Sequence, residues 1–101
     1  MNTRILNMLG IANKAGKLVT GEDSVISGLQ KRKVKMVFVS NDASASTVDK
    51  FDKKCFFYHV DCITLFNYEE LSSAIGRNRK IVGVTDSGIC DAIKKIMEES
   101  K

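Results

Sequence analysis

The apolar residues of this chain switch repeatedly between a helical and a β-strand period, and no proline interrupts its 101 residues. Ile5, Leu9 and Ala12 have the spacing of one helix face, whereas residues 34–40 form a mostly apolar, β-branched run that is typical of a buried strand. Strands that are separated by helices form a sheet covered on both sides. The pattern therefore predicts an α/β fold, a three-layer α/β/α sandwich with a small central mixed sheet.

Capping residues predict where the helices begin and end. Gly16 is a stop signal for the first helix, and Gly76 closes a short helix that Asn67 can cap. Capping boxes are predicted at two pairs of residues, Thr20 with Asp23 for the second helix and Ser46 with Asp49 for the third. The last helix is predicted to be capped by Asp86 or Ser87.

Aromatic and β-branched residues predict the remaining strands. These strands are expected at Leu18 and Val19, at residues 56–60 with an extension to Thr64 left open, and at residues 80–85. The loops at 14–22, 40–46 and 76–80 are then expected to share one end of the sheet, because right-handed crossovers bring many loops together there. Much of the polar chemistry of the chain lies in these loops.

Length and composition exclude several classes of protein. With 44% apolar and 28% charged residues, the chain is expected to fold as a single domain over residues 1–101 rather than to be disordered. The longest apolar runs have four residues, against the roughly 20 that a membrane span needs, and the N-terminus lacks an apolar segment of signal-peptide length. We therefore expect a cytoplasmic location and no membrane partner.

The cysteines give no sign of a disulfide framework or a metal site. Cys55, Cys62 and Cys90 are odd in number and widely spaced, and the single histidine, His59, completes no local zinc motif. Small apolar filler in a reducing compartment is their expected role. No metal and no other cofactor is expected.

Positive charge is concentrated near the start of the chain. Residues 1–35 hold seven basic and two acidic residues, whereas residues 36–101 hold nine basic and ten acidic residues. A localised positive field favours a polyanionic partner, because neutralised phosphates release condensed counterions. An ordinary solvated surface is the alternative, and charge alone leaves both interpretations open.

Gly16 and Lys17 invite comparison with a nucleotide-binding P-loop. That motif needs four residues between its glycines and Ser or Thr after the lysine, whereas five residues separate the glycines here and Leu18 follows. The spacing excludes nucleotide binding. What remains is a turn with Lys14 and Lys17 that leads to Gly21 at a helix N-terminus. Exposed N–H groups there suit a phosphate or a base edge, and an ordinary helix start with solvated lysines is the alternative.

A second cationic motif lies between a predicted helix end and a predicted strand. Arg77, Arg79 and Lys80 place three cations in four positions. Arginine binds phosphate in bidentate geometry or stacks on a base. A loop kept soluble by its charge is the alternative.

A catalytic set is not evident. Asp42, Ser44 and His59 are not accompanied by a nucleophile elbow, and Ser44 lies in a turn where serine is expected for local hydrogen bonds. The glutamate pairs at residues 69–70 and 98–99 are adjacent on predicted helices, so each pair diverges. We expect neither enzymatic activity nor a small-molecule substrate.

Three segments of the chain form an ordered set of motifs. They are residues 12–21 (ANKAGKLVTG), 37–44 (VFVSNDAS) and 71–77 (LSSAIGR). In this order and spacing they resemble the ribosomal protein seven-Ae/thirty-e family, and within it the small bacterial YlxQ-type members, from about residue 4 to residue 97. The resemblance implies a non-catalytic α/β/α sandwich that binds RNA in ribosomes or other ribonucleoproteins. The implied target is the kink-turn, a sharply bent internal loop flanked by sheared G·A pairs.

The same resemblance implies a binding surface at the N-terminal end of the second helix and in the loop before the last strand. Together with the two cationic motifs, the expected RNA-binding residues are Lys14, Lys17, Gly21, Glu22, Asp23, Ser24, Ser27, Lys31, Arg77, Asn78, Arg79 and Lys80. The expected partner is ribosomal or other structured RNA, with the ribosome as a further partner.

The positions that read the kink-turn in the family are changed here. The family's Asn-Glu pair falls on Asp23 and Ser24, and its lysine one turn later falls on Ser27. Asp23 keeps acceptors but lacks the amide donor. RNA binding is therefore better supported than kink-turn specificity.

The alternative is a protein-interaction module of the same fold, whose sign would be an exposed apolar patch.

Overall fold

The computed structural model describes residues 3–99, which form five helices and four strands. In chain order they are α1 (Thr3–Lys14), β1 (Leu18–Thr20), α2 (Glu22–Gln30), β2 (Met36–Val39), α3 (Ala45–Tyr58), β3 (Asp61–Ile63), α4 (Tyr68–Ile75), β4 (Ile81–Val84) and α5 (Ser87–Glu99). The alternation of helices with strands confirms the predicted α/β class.

The strands form a mixed sheet in the order β1-β4-β2-β3. β4 runs antiparallel to both of its neighbours, so Val82 lies opposite Thr20 of β1 and opposite Phe38 of β2. β3 pairs with β2 in parallel, with Cys62 opposite Val37. The small mixed sheet therefore agrees with the prediction.

Alternate residues of β2 pack into different layers, since successive side chains of a strand point to opposite faces. Met36 and Phe38 belong to a core cluster formed with α1, α4 and α5. Val37 and Val39 belong to a second cluster formed with α2 and α3. All four residues are buried, which is why the strand reads as a continuous apolar run. The three-layer α/β/α sandwich is confirmed.

Both predicted capping boxes are wrong. Thr20 is the last residue of β1, and α2 has Gly21 as its N-cap, without a side-chain cap. Pairing of β1 with β4 holds Thr20 in extended conformation, so the helix begins one residue later. α3 begins ahead of Ser46, because the Ser44 hydroxyl accepts the Thr47 N–H and acts as the N-cap.

The boundaries of α4 and α5 follow their caps. Asn67 and Glu70 form a capping box at the start of α4, and Gly76 ends the helix in left-handed conformation, as predicted for Asn67 and Gly76. Of the two residues proposed to cap α5, Asp86 does so, because its Oδ2 accepts the Ile89 N–H at 2.9 Å.

The predicted strand at residues 56–60 is wrong. Phe56 and Phe57 lie in the last turn of α3, and His59 ends the helix in left-handed conformation with φ 59°. These aromatic residues favour a strand locally, but in the structure they extend the helix. β propensity depends strongly on context. The edge strand β3 begins later, at Asp61.

Strand directions decide which loops meet at one end of the sheet. The Gly21 N–H donates to Ile81 C=O at 2.9 Å and the Ser40 N–H donates to Lys80 C=O at 2.9 Å. The loops that follow β1 and β2 therefore lie beside the loop that precedes β4. We call this end of the sheet the Gly21 end.

The turn before β1 lies at the opposite end, which corrects the expectation that the whole 14–22 loop joins this cluster. Both the N–H and the hydroxyl of Thr85 donate to Lys17 C=O, beyond the last residue of β4. The 31–35 loop lies there as well, because the Lys35 N–H donates to Val84 C=O at 2.7 Å. The length of β1 separates Lys17 from Gly21.

The described residues contain three free thiols, on Cys55, Cys62 and Cys90. Burial raises the pKa of the Cys90 thiol to about 11, and a hydrogen bond with Cys55 raises the pKa of Cys62. Among residues 3–99, no group of three or more His, Cys, Asp or Glu side chains is arranged to hold a metal ion. None of the helices in this range has the length and apolar character that a bilayer span needs.

Candidate nucleic-acid interface

A cleft of about 480 Å³ opens at the Gly21 end of the sheet, between the start of α2 and the loop before β4. We call it the Gly21 cleft; its lining residues are Gly21, Glu22, Asp23, Tyr68, Asn78, Arg79, Lys80 and Ile81. The two segments that meet here are more than 50 residues apart in the chain. The structure therefore places the N-terminus of α2 beside the cationic loop, the two segments in which the family resemblance implies a binding surface.

The N-terminus of α2 presents backbone donors to this cleft. Gly21 has φ 91° and ψ 155°, a conformation that side-chain-bearing residues rarely adopt. The first intrahelical bond runs from the Val25 N–H to Gly21 C=O at 3.1 Å. The N–H groups of Glu22, Asp23 and Ser24 precede it, so they have no intrahelical acceptor. Such groups, at the positive end of a helix dipole, attract an anion or an acceptor on a base.

The loop at residues 77–80 is fixed by its backbone while its cations face solvent. The Arg79 N–H donates to the Ser72 hydroxyl at 3.2 Å, and the Arg77 N–H donates to Ser72 C=O at 3.2 Å. The Arg79 guanidinium donates to Asn78 C=O at 3.0 Å, and Lys80 is exposed. Anchoring on α4 holds the arginine and lysine side chains beside the cleft and reduces the ordering needed to bind a ligand.

Two further residues of this region were not predicted from the sequence. Tyr68, which is 40% exposed, lines the cleft, and its N–H donates to Asp42 Oδ1 at 3.0 Å. An exposed aromatic ring offers a stacking face for an unpaired base. Lys50 on α3 donates to Glu22 Oε1 at 2.9 Å. Tyr68 directly follows a helix N-cap, so the sequence carries a usable sign that it is exposed. The pairing of Lys50 has no local sequence signal.

The charges of the cleft are divided between its two walls. Arg79 and Lys80 form a cationic wall, and Glu22 and Asp23 form an acidic wall at the helix N-terminus. The Lys50 ammonium offsets the charge of Glu22, whereas no ion pair within 4.0 Å is found for Asp23 among the described residues. Phosphates therefore suit the loop side, and donor groups of bases suit the α2 side.

The remaining predicted residues are distributed unevenly. Arg77 lines an adjoining depression that shares Tyr68 and Asn78 with the cleft. Ser24 is exposed and Ser27 half-buried on α2, and neither lines the cleft. Six of the twelve residues, Gly21, Glu22, Asp23, Asn78, Arg79 and Lys80, are brought together.

Three predicted lysines are not brought into the cleft. Lys14 ends α1, next to Asn13, whose side chain donates to Ile75 C=O at the end of α4. Lys17 and Lys31 lie at the opposite end of the sheet, because β1 and α2 each run the full distance between the two ends. Basic residues that cluster in the sequence are therefore not all brought to the Gly21 cleft by the fold.

The architecture and the sequence are both similar to those of known proteins. Residues 3–93 match the model of the Ribosomal protein L7Ae/L30e/S12e/Gadd45 family. The RNA-binding protein YlxQ of Enterococcus faecium is 40% identical over 95 residues, which cover 94% of this chain and 92% of the relative. The RNA-binding protein YlxQ of Bacillus subtilis (strain 168) is 35% identical over 92 residues, or 90% of this chain and 92% of the relative. These relatives are named for binding rather than catalysis, in agreement with the prediction of a non-enzymatic protein.

Solved structures give the same result for the fold. A protein of unknown function from Bacillus halodurans superposes with a TM-score of 0.88 at 33% identity, covering 93% of this chain and 96% of its own. The 15.5kD RNA binding protein of Giardia lamblia superposes with a TM-score of 0.81 at 12% identity, covering 97% and 85%. At this low identity the second likeness concerns the fold alone. Because the family match spans nearly the whole chain and the YlxQ relatives cover it at 35% and 40% identity, the chain belongs to the Ribosomal protein L7Ae/L30e/S12e/Gadd45 family.

Proposed function

We propose that the chain is an RNA-binding protein whose Gly21 cleft receives a kink-turn or a similarly distorted element of structured RNA. The observation that carries this proposal is the convergence of Gly21, Asp23 and Arg79 on one cleft. The names of the YlxQ relatives support RNA as the class of partner. Ribosomal RNA, in a ribosome or an assembling ribonucleoprotein of the cytoplasm, is the proposed setting.

In this proposal the two walls of the cleft contact different groups of the RNA. Arg79 and Lys80 contact phosphates on either side of the bend, with Arg77 in the adjoining depression. The backbone donors of α2 meet base acceptors, and the Asp23 carboxylate accepts from the Watson–Crick N–H groups of a guanine. Tyr68 stacks on a base that the bend has released. A regular A-form groove hides these edges, so a distorted RNA fits better than a continuous duplex.

A salt titration tests the proposal. Arg77, Arg79, Lys80 and Lys50 are four cations at or next to the cleft. With about 0.7–0.9 counterions released per phosphate contact, we expect log affinity for a labelled kink-turn hairpin to fall with log salt at a slope of about −3. Fluorescence anisotropy at several salt concentrations measures the slope.

The matched RNA is the same hairpin with its internal loop closed by Watson–Crick pairs. We expect the kink-turn RNA to bind at least about tenfold more tightly than this duplex, because only the bent loop exposes base edges. Equal affinity for both RNAs would refute kink-turn recognition, and a slope near zero would refute phosphate contact.

Ser27 offers a gain-of-affinity test. It lies one turn after Asp23 on α2 and is half-buried. A lysine there is positioned to offset the Asp23 carboxylate across one turn and to add a phosphate contact. We expect Ser27→Lys to bind the kink-turn hairpin about fivefold more tightly at 0.1 M salt, the equivalent of roughly 1 kcal/mol.

Ser27→Gln is the control, because glutamine adds length without charge. If Ser27→Lys binds no more tightly than Ser27→Gln, the lysine position of the family has no counterpart on this helix.

A further inference from the structure

A second surface with nucleic-acid-binding chemistry lies at the opposite end of the sheet from the Gly21 cleft. The C-terminal turn of α3 carries Phe56 and Phe57, which are 84% and 71% exposed. α3 connects the parallel strands β2 and β3, so its last turn lies where β3 begins, far from the start of α2. A shallow cleft of about 650 Å³ beside these rings is lined by Asp52, Lys53, Phe56, Phe57 and His59.

These rings adjoin the most basic loop of the chain. The Phe57 and Tyr58 rings meet edge to face at a centroid distance of 4.9 Å, and the Arg32 guanidinium lies 5.8 Å above the Tyr58 ring. His59 lines both the cleft beside Phe56 and a neighbouring depression with Arg32 and Lys35. We call residues 31–35 and 56–59 together the aromatic-basic surface.

The loop in this surface holds four exposed cations in five positions. They are Lys31, Arg32, Lys33 and Lys35. The acidic groups nearby are fewer: Asp52 lines the cleft, Asp49 forms an exposed ion pair with Lys53 at 3.0 Å, and Asp61, at the start of β3, pairs with Lys94 at 3.5 Å. An exposed pair one helical turn apart contributes little and is readily exchanged. The surface as a whole therefore retains a positive potential beside its rings.

We propose that the aromatic-basic surface binds single-stranded RNA, with bases stacked on Phe56 and Phe57 and phosphates held by the 31–35 loop. Stacking rings interleaved with cations are the usual chemistry of sequence-tolerant single-strand binding. The proposal rests on the proposed function in taking RNA as the class of partner. It adds a second contact, which engages the strand that extends from a structured element held in the Gly21 cleft.

The size and charge of the surface favour RNA over a protein partner. Two phenylalanine rings at this exposure offer on the order of 300 Å², well short of the roughly 800 Å² that each partner contributes to a stable protein interface. The centres of protein interfaces are also depleted of lysine, whereas four cations border these rings. Two RNA bases, by contrast, need only two ring faces on which to stack.

The test measures binding of a labelled twelve-residue oligouridine and of the kink-turn hairpin to the same variants. We expect Phe56→Ala/Phe57→Ala to lower affinity for oligouridine about thirtyfold, from stacking lost at two bases. Affinity for the hairpin, which has no single-stranded extension, stays within about twofold. Lys33→Gln lowers the oligouridine salt slope by about 0.7, the release expected for one contact on a single strand.

Matched controls lie on the other face of the sheet. Ile11→Ala removes an exposed apolar side chain from α1, and Lys95→Gln removes a cation from α5. Neither should change oligouridine binding. The proposal is overturned if wild-type protein does not bind oligouridine, or if the double phenylalanine variant binds it equally well. It is also overturned if sedimentation shows that the rings hold a dimer and RNA affinity does not depend on them.

These measurements separate the two proposals. The cleft variant Arg79→Ala weakens the kink-turn hairpin if the proposed function is right, and it leaves oligouridine binding to the aromatic-basic surface unchanged. Failure of that cleft variant counts against the Gly21 cleft alone. Failure of the phenylalanine variant counts against the second surface alone.

Discussion

Replacing Arg77, Arg79 and Lys80 together by glutamine should weaken binding of a kink-turn hairpin about a hundredfold at 0.1 M salt. All three side chains are exposed and flank the Gly21 cleft. Each exposed charge-assisted contact contributes roughly 1 kcal/mol, so three contacts correspond to about two factors of ten. The slope of log affinity against log salt should become shallower by about 2–3, because three sets of counterions are no longer released.

The control for this variant carries the same loss of charge at the other end of the sheet. Lys17, Lys31 and Lys33 are exposed there, and their replacement by glutamine also lowers the net charge by three. We expect hairpin affinity to change by less than about threefold, since screened charges more than a Debye length away act weakly. Equal losses in the two variants would mean that net charge, rather than the Gly21 cleft, determines RNA binding.

The fold was predictable from sequence wherever burial and local capping agreed. Residues 34–40 read as a buried strand, and residues 36–39 of this run form β2, because both of its faces are covered. Asn67 and Gly76 marked the ends of α4 because each makes its cap with neighbours in the chain. Short-range hydrogen bonds of this kind depend little on tertiary structure.

Boundaries set by distant partners were not predictable. Thr20 has the side chain of an N-cap, but pairing with Val82 keeps it in the sheet. Phe56 and Phe57 are good strand residues that nonetheless lie on a helix, because α3 continues to the left-handed residue His59. In each case a helix or strand already under way extends through residues with a different local preference.

The candidate site shows the same division. The sequence predicts a helix N-terminus at Gly21 and shows cations at Arg79 and Lys80. The strand directions bring these segments together. Sequence charge alone does not tell which end of the sheet a lysine occupies, and Lys17 and Lys31 lie at the end opposite the Gly21 cleft. Tyr68 follows the predicted cap Asn67, which was a usable sign of its exposure, but its place beside Gly21 depends on folding.

Gly21→Ala should destabilise the protein and impair the site together. Gly21 has φ 91° and ψ 155°, and an added Cβ would meet no atom within 4 Å. The cost is therefore conformational, about 1–3 kcal/mol, out of a typical total stability of 5–15 kcal/mol. Relaxation to an ordinary conformation would break the bond from Gly21 N–H to Ile81 C=O and turn the first residues of α2 away from the loop.

Urea unfolding and hairpin binding measure the two effects separately. We expect the free energy of unfolding to fall by about 2 kcal/mol and hairpin affinity to fall about tenfold in buffer where the variant remains folded. The tenfold loss corresponds to roughly 1.4 kcal/mol of misplaced contacts at the start of α2.

Gly16→Ala separates backbone strain from the shape of the site. Gly16 also has a positive φ, 71°, with no atom within 4 Å of an added Cβ, but it precedes β1 at the opposite end of the sheet. We expect this variant to lose about 1–2 kcal/mol of stability through left-handed backbone strain and to keep its affinity for the hairpin. A loss of affinity shared equally by both variants would trace the Gly21→Ala defect to general destabilisation. A loss confined to Gly21→Ala would mean that this glycine sets the position of the α2 donors, because Gly21, unlike Gly16, bonds to Ile81, the residue that follows the cationic loop.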